Sequence, residues 1–143
     1  MIKVGFIGAG DIAYLHGEGV QASSNAQLHG IWNRTRTKAE EKASLFDTRV
    51  FDTAEELIEA VDVVYVLTNM ETHHAYCMQA IEAGKHVLVE KPTAVTIEEI
   101  EEIKAFAHQK GVQVAPVHNY IYEAPVMRAK ELIESGKLGD LVS

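Results

Sequence analysis

Val4-Gly5-Phe6-Ile7-Gly8-Ala9-Gly10-Asp11-Ile12-Ala13 decides how this chain reads. An apolar run, Ile2–Ile7, enters it as a buried strand, and the pattern G-x-G-x-x-A leaves it as a helix. Gly8 permits the tight turn out of the strand. Gly10 has no side chain where a diphosphate must approach the backbone, and Ala13 lets helix and strand pack closely. A helix starting near Asp11 would aim its free N–H groups and positive dipole end at such an anion. Gly8, Ala9, Gly10, Asp11 and Ile12 are therefore the first candidate dinucleotide contacts. A purely structural turn uses the same glycines, but the strand before and the helix after favour a nucleotide.

Downstream, short β-branched runs alternate with helical patterns. Leu28–Trp32, Thr48–Phe51, Val61–Leu67, His86–Val89 and Val112–Val117 read as further strands, nearly continuous in apolar residues, which suits a parallel sheet covered on both faces. Three Thr-x-x-Glu capping boxes, at Thr37-Glu40, Thr53-Glu56 and Thr96-Glu99, mark helix starts. Helices over Glu71–Ala83 and Ala124–Ser135 stop at Gly84 and Gly136, as C-caps do. The alternation predicts an α/β fold: a Rossmann-type, doubly wound parallel sheet in three layers, strand order 3-2-1-4-5-6, with ligand beyond strands 1 and 4.

Bulk properties narrow the function classes. The 143 residues suit one domain, and 47% hydrophobic content suits a real core. A formal charge of -8 argues against general binding to nucleic acid or anionic membrane. No apolar run reaches membrane-spanning length and the N-terminus lacks a signal-peptide pattern, so the reading is a soluble protein in a reducing, cytoplasmic setting. Cys77, the single cysteine, excludes an internal disulfide and reads as a buried helix residue.

The end of the second strand selects the nucleotide. An acid there would bond the ribose hydroxyls of NAD. Here stand Asn33-Arg34-Thr35-Arg36. Asn33 can bond a ribose hydroxyl, while Arg34, helped by Thr35 or Arg36, can pair with a 2′-phosphate. Solvated helix-start arginines are the alternative. The missing acid favours NADP over NAD. After the fifth strand, Glu90-Lys91-Pro92 falls at the ligand edge of the predicted sheet. On chemistry alone it reads either as a functional pair or as an exposed strand-end ion pair.

Four segments resemble one family: VGFIGAGDIA at 4–13, WNRTRTKAE at 32–40, AIEAGKHVLVEKPTAVT at 80–96 and ELIESGKLGDLV at 131–142. Over essentially its whole length the chain resembles the N-terminal domain of the glucose–fructose oxidoreductase / inositol dehydrogenase (Gfo/Idh/MocA) family, and AGKHVLVEKP is the specific part. The resemblance implies that Lys91 lies beside nicotinamide and substrate and organises proton transfer, with Glu90 near the nicotinamide ribose. It aligns Thr68-Asn69-Met70-Glu71-Thr72-His73 with the family's Thr-Pro-Asn-x-x-His, placing Thr68, Asn69 and His73 near the nucleotide, with Asn69 where proline is usual. It brings Asn119, and Tyr120 after it, towards the active site.

The same resemblance implies a sugar, polyol or related hydroxy compound as substrate. It also implies a second, antiparallel-sheet domain that shapes the substrate pocket. The expectation is thus one cofactor domain over 1–143, with residues from about 139 entering that second domain. Alone it would bind nucleotide without efficient turnover. A homo-oligomer is left open, since the family's contacts run largely through the other domain. No zinc pattern or nucleophile elbow is present, the adjacent His73 and His74 diverge on a helix, and His16, His29, His86 and His108 read as structural. Two alternatives remain: a non-enzymatic nucleotide-binding sensor module, and another two-domain dehydrogenase such as a dihydrodipicolinate reductase-like enzyme, against which AGKHVLVEKP speaks. A methyltransferase would give Lys91 no task.

Overall fold

The computed structural model describes residues 1–139. Six strands, β1 (Ile2–Ile7), β2 (Ala26–Trp32), β3 (Arg49–Val50), β4 (Val63–Val66), β5 (His86–Val89) and β6 (Val114–Pro116), form one sheet in the order β3-β2-β1-β4-β5-β6. Every pairing is parallel. The helices are α1 (Ile12–Ala22), α2 (Arg36–Leu45), α3 (Ala54–Ala60), α4 (His73–Glu82), α5 (Ile97–Lys110) and α6 (Ala124–Glu134). This is the doubly wound order that the β-α alternation implies.

Two apolar clusters make the three layers. Val4 and Phe6 of β1 point to one face, where Ala13 and Val20 of α1 and Ala39 and Ala43 of α2 meet them. Ile7 points to the other, among Leu57 and Ile58 of α3, Cys77 and Ile81 of α4, and Ile103 of α5. Burial raises the Cys77 thiol to about 12, so it packs as a small hydrophobe.

Register positions the site. Ile7 aligns with Trp32 on one side and Val66 on the other, Val66 with Val89, and Val89 with Pro116. Five strands therefore end in one row. The residues that leave it, Gly8, Asn33, Leu67, Glu90 and Val117, share one sheet edge.

Several boundaries differ from the sequence reading. The strongest apolar run, Val61–Leu67, shortens because Val61 caps α3 and the Asp62 amide turns to the Lys3 carbonyl. The Thr37 capping box does not form. The helix starts earlier, at Arg36, with Thr35 at its cap, and Glu40 bonds Arg36 instead. Thr96 and Glu99 form the reciprocal box, while Thr53 accepts only the Glu56 amide. The helix read over Glu71–Ala83 splits into a 3-10 turn, Met70–Thr72, and α4.

The sheet is not covered on both faces throughout. Ala115 and Pro116 of β6 are exposed, and α6 packs chiefly on the 3-10 turn Asn119–Tyr122 that precedes it, leaving Val126 and Met127 in solvent. The entry into a new domain, expected from about 139, falls almost wholly outside the described residues. No described helix is long and apolar enough to cross a membrane.

Candidate functional site

The glycine turn has two glycines required for different reasons. Gly8 adopts φ +113, and a Cβ there would lie 2.7 Å from the carbonyl carbon and oxygen of Leu67, where β4 passes out of the sheet. Its own fold demands glycine. A Cβ on Gly10 would meet nothing within 4 Å, so no protein atom explains its bare backbone. The missing side chain leaves room there for a ligand to approach the backbone. The Gly10 and Asp11 amides donate to no acceptor among the described residues. The Ala9 amide donates to Asn33 Oδ1 at 3.1 Å, and Asn33 Nδ2 donates to the Thr35 carbonyl at 2.9 Å. Asn33 thus braces the glycine turn against the exit of β2, keeping one acceptor lone pair and one N–H for a ribose.

These loops enclose a cleft of about 220 Å³, lined by the glycine turn, the β2 exit and the β4 exit, with Trp32 and Tyr76 as its aromatic wall. Thr68 and Asn69 line it. Asn69 sits at φ -74, within the range a proline would impose. A larger groove of about 570 Å³ lies between α3, α4 and α5. Its rim carries Glu55, Glu59 and Glu82, which repel a phosphate, so the smaller cleft is the dinucleotide candidate.

Cations gather at the β2 end of that cleft. Arg34 lines it, and so does Lys38, a residue that sequence reading assigned only to a capping box. Neither forms an ion pair among the described residues. The first turns of α3 and α5 hold Glu55-Glu56 and Glu98-Glu99, which suit a helix dipole. Those of α1 and α2 hold no acid, although Asp11 stands at the α1 N-cap without a capping hydrogen bond. Arg36, the other arginine of this segment, has its guanidinium held by Glu40 at 2.8 Å and by Asp52, and it does not line the cleft.

The remaining site residues follow β4, β5 and β6. His73 is 1% exposed, and its ring nitrogens lie 2.9 Å from the Pro92 carbonyl and 3.0 Å from that of Thr68. The ring does not line the cleft. It is a buried bridge between the loops that leave β4 and β5. Glu90 is also buried, with Oε1 at 2.9 Å from His16 Nε2 and Oε2 accepting the Lys91 amide at 2.9 Å. Both carboxylate oxygens are engaged within the protein, which leaves the ribose contact implied for Glu90 without an idle oxygen. Lys91 is exposed beyond the row of strand ends, with its ammonium in no ion pair among the described residues. Asn119 opens an exposed turn after β6, outside the cleft. No group of three metal-ligating side chains occurs among the described residues.

Comparison with known proteins bears on this arrangement. Residues 2–118 match the family model described as an oxidoreductase family with an NAD-binding Rossmann fold. The chain is 34% identical over its full length to a glucose-6-phosphate 3-dehydrogenase of Bacillus subtilis, covering 41% of that protein. It is 35% identical to a scyllo-inositol 2-dehydrogenase (NADP(+)) of the same organism, over 98% of the chain and 39% of the relative. An NAD binding oxidoreductase from Klebsiella pneumoniae superposes with a TM-score of 0.90 at 27% identity, over 96% of this chain and 40% of that one. The chain thus spans about two fifths of the length of the relatives it matches.

Proposed function

The chain belongs to the Gfo/Idh/MocA oxidoreductase family as an NAD(P)-binding Rossmann domain, and from that premise we propose that its cleft selects NADP for hydride exchange with a sugar, polyol or related hydroxy compound. The observation that carries the cofactor choice is the β2 exit: no acid, and two cations, Arg34 and Lys38, facing the cleft without a carboxylate partner. A guanidinium matches a phosphate with paired N–H donors, and an ammonium adds a point charge beside it. The B. subtilis relative named for NADP(+) is in keeping with this choice.

The row of strand ends suggests the rest. The diphosphate meets the Gly10 and Asp11 amides and the α1 dipole at β1. The adenosine half lies towards Asn33 and Arg34, on the far side of β1 from Glu90 and Lys91. Bound there, a nicotinamide would supply the hydride acceptor or donor. The chain's own contribution is Lys91, an exposed ammonium placed to hold a substrate hydroxyl and steady the proton that leaves it. The substrate class follows the relatives, whose names specify a sugar phosphate and an inositol.

Isothermal titration with NADPH and NADH tests the proposal. NADPH should bind at least about tenfold tighter, the equivalent of about 1.4 kcal/mol from one charge-assisted contact. Equal affinities would remove the case for NADP, and no binding of either by folded protein would remove the site.

A further inference from the structure

His16 and Glu90, 74 residues apart in sequence, form a buried pair at the junction of α1 and β5. Their side chains are 14% and 8% exposed. The His16 ring stands edge-on to Phe6 and Tyr65, with centroids 6.4 and 5.5 Å away, so aromatic neighbours fix its plane. One Glu90 oxygen takes that ring and the other takes the Lys91 amide, while the Glu90 amide donates to the Val66 carbonyl at 3.0 Å. The carboxylate therefore sits between the helix whose N-terminus faces the diphosphate and the main chain from which Lys91 departs. Without His16, Glu90 would have an idle oxygen one residue away from an exposed ammonium.

We infer that His16 is a positioning residue: it holds Glu90 against the Lys91 amide and away from the Lys91 ammonium, so that the diphosphate helix and the Lys91 arm move as one piece. The inference rests on the proposed place of Lys91 at the nicotinamide end. Through this pair, a shift of α1 as it receives a diphosphate is carried to the backbone of Lys91. The ammonium meanwhile stays uncompensated and available to a substrate hydroxyl.

The test is made on the 143-residue chain, with His16→Ala and His16→Gln, whose side-chain amide can donate to the same carboxylate. Hydrogen exchange of the Lys91 amide is followed by NMR without nucleotide. Affinities are then measured for NADPH and for 2′,5′-ADP, which lacks the nicotinamide half. In His16→Ala the Lys91 amide should exchange about tenfold faster, as loss of one charged hydrogen bond requires. NADPH should weaken while 2′,5′-ADP holds, and His16→Gln should restore both.

An unchanged Lys91 amide in folded His16→Ala overturns the inference, as does equal weakening of the two ligands or a failure of Gln to rescue. If His16→Ala does not fold, His16→Gln decides alone: wild-type protection of the Lys91 amide supports the inference and its loss refutes it. Failure of both to fold would make His16 a stability residue and refute it too. If wild-type chain binds neither ligand, the proposed function falls, while the amide exchange still judges His16.

Discussion

Replacing Gly10 with alanine separates a ligand's requirement from the fold's. A methyl group at Gly10 has open space around it. In the free protein the substitution removes only unfolded-state entropy and should stabilise by about 0.4–1 kcal/mol, raising Tm by about 1–4 °C for a domain of this size. With a dinucleotide the same methyl occupies the approach of the diphosphate. Losing one charge-assisted contact from the Gly10 or Asp11 amide costs about 1.5–3 kcal/mol, about ten- to hundredfold in Kd.

Differential scanning fluorimetry reads both effects. At about 100 times its Kd, NADPH adds about 2.7 kcal/mol to wild-type stability, a rise of about 5–10 °C. In Gly10→Ala about half or more of that rise should vanish although the apo Tm does not fall. Gly8→Ala is the control, since its methyl would strike the Leu67 carbonyl at φ +113 and should lower the apo Tm itself. A Gly10→Ala protein with the wild-type response to NADPH would refute the close approach of the diphosphate, and one with a collapsed apo Tm would refute the open space around Gly10.

Three further outcomes are expected. Arg34→Ala should weaken NADPH about ten- to hundredfold and leave NADH unchanged, with a smaller selective loss for Lys38→Ala; equal losses of both cofactors in titration would remove the 2′-phosphate role. His73→Ala leaves the Pro92 and Thr68 carbonyls without their buried partner and should destabilise by about 2–4 kcal/mol in urea unfolding, where a change under about 0.5 kcal/mol would show that the bridge is idle. Cys77, raised from 9.0 to about 12 by burial, should resist a thiol reagent at pH 8 until the chain unfolds. Its thiol stays protonated in the fold up to that range, so its contribution to stability is complete below pH 9 and is lost as pH rises towards 12, which alkaline unfolding of Cys77→Ala against wild type would reveal.

What could be read from sequence was whatever depends on near neighbours. Gly8 and Gly10 sit inside a strand-turn-helix whose three parts are contiguous, and the alternation of apolar runs with helices leaves one favoured strand order. Asn33 and Arg34 fall directly after β2, so their place at the edge follows from counting. Lys38 was hidden because its position in the first turn of α2 depends on where that helix begins, and the Arg36–Glu40 pair competes with the Thr37 box for the same carboxylate. The partners of His16 and His73 were hidden for another reason. One histidine meets Glu90 across the sheet edge and the other meets the carbonyl of Pro92, and neither spacing leaves a periodic trace. The bare edge at β6 also escaped, because an apolar triplet such as Val114–Pro116 reads alike whether or not a helix lies over it.

The alignment of Ile7, Trp32, Val66 and Val89 makes the sheet a yardstick. Parallel strands are spaced about 4.8 Å apart, so Asn33 and Glu90, separated by the steps β2 to β1, β1 to β4 and β4 to β5, stand about 14 Å apart along it. That interval is set by backbone hydrogen bonds, which no surface substitution can stretch. Loops can therefore diverge in sequence and length without altering the distance between these strand ends. A mononucleotide reaches only one end of the scale, and only a molecule long enough to touch both is measured by it.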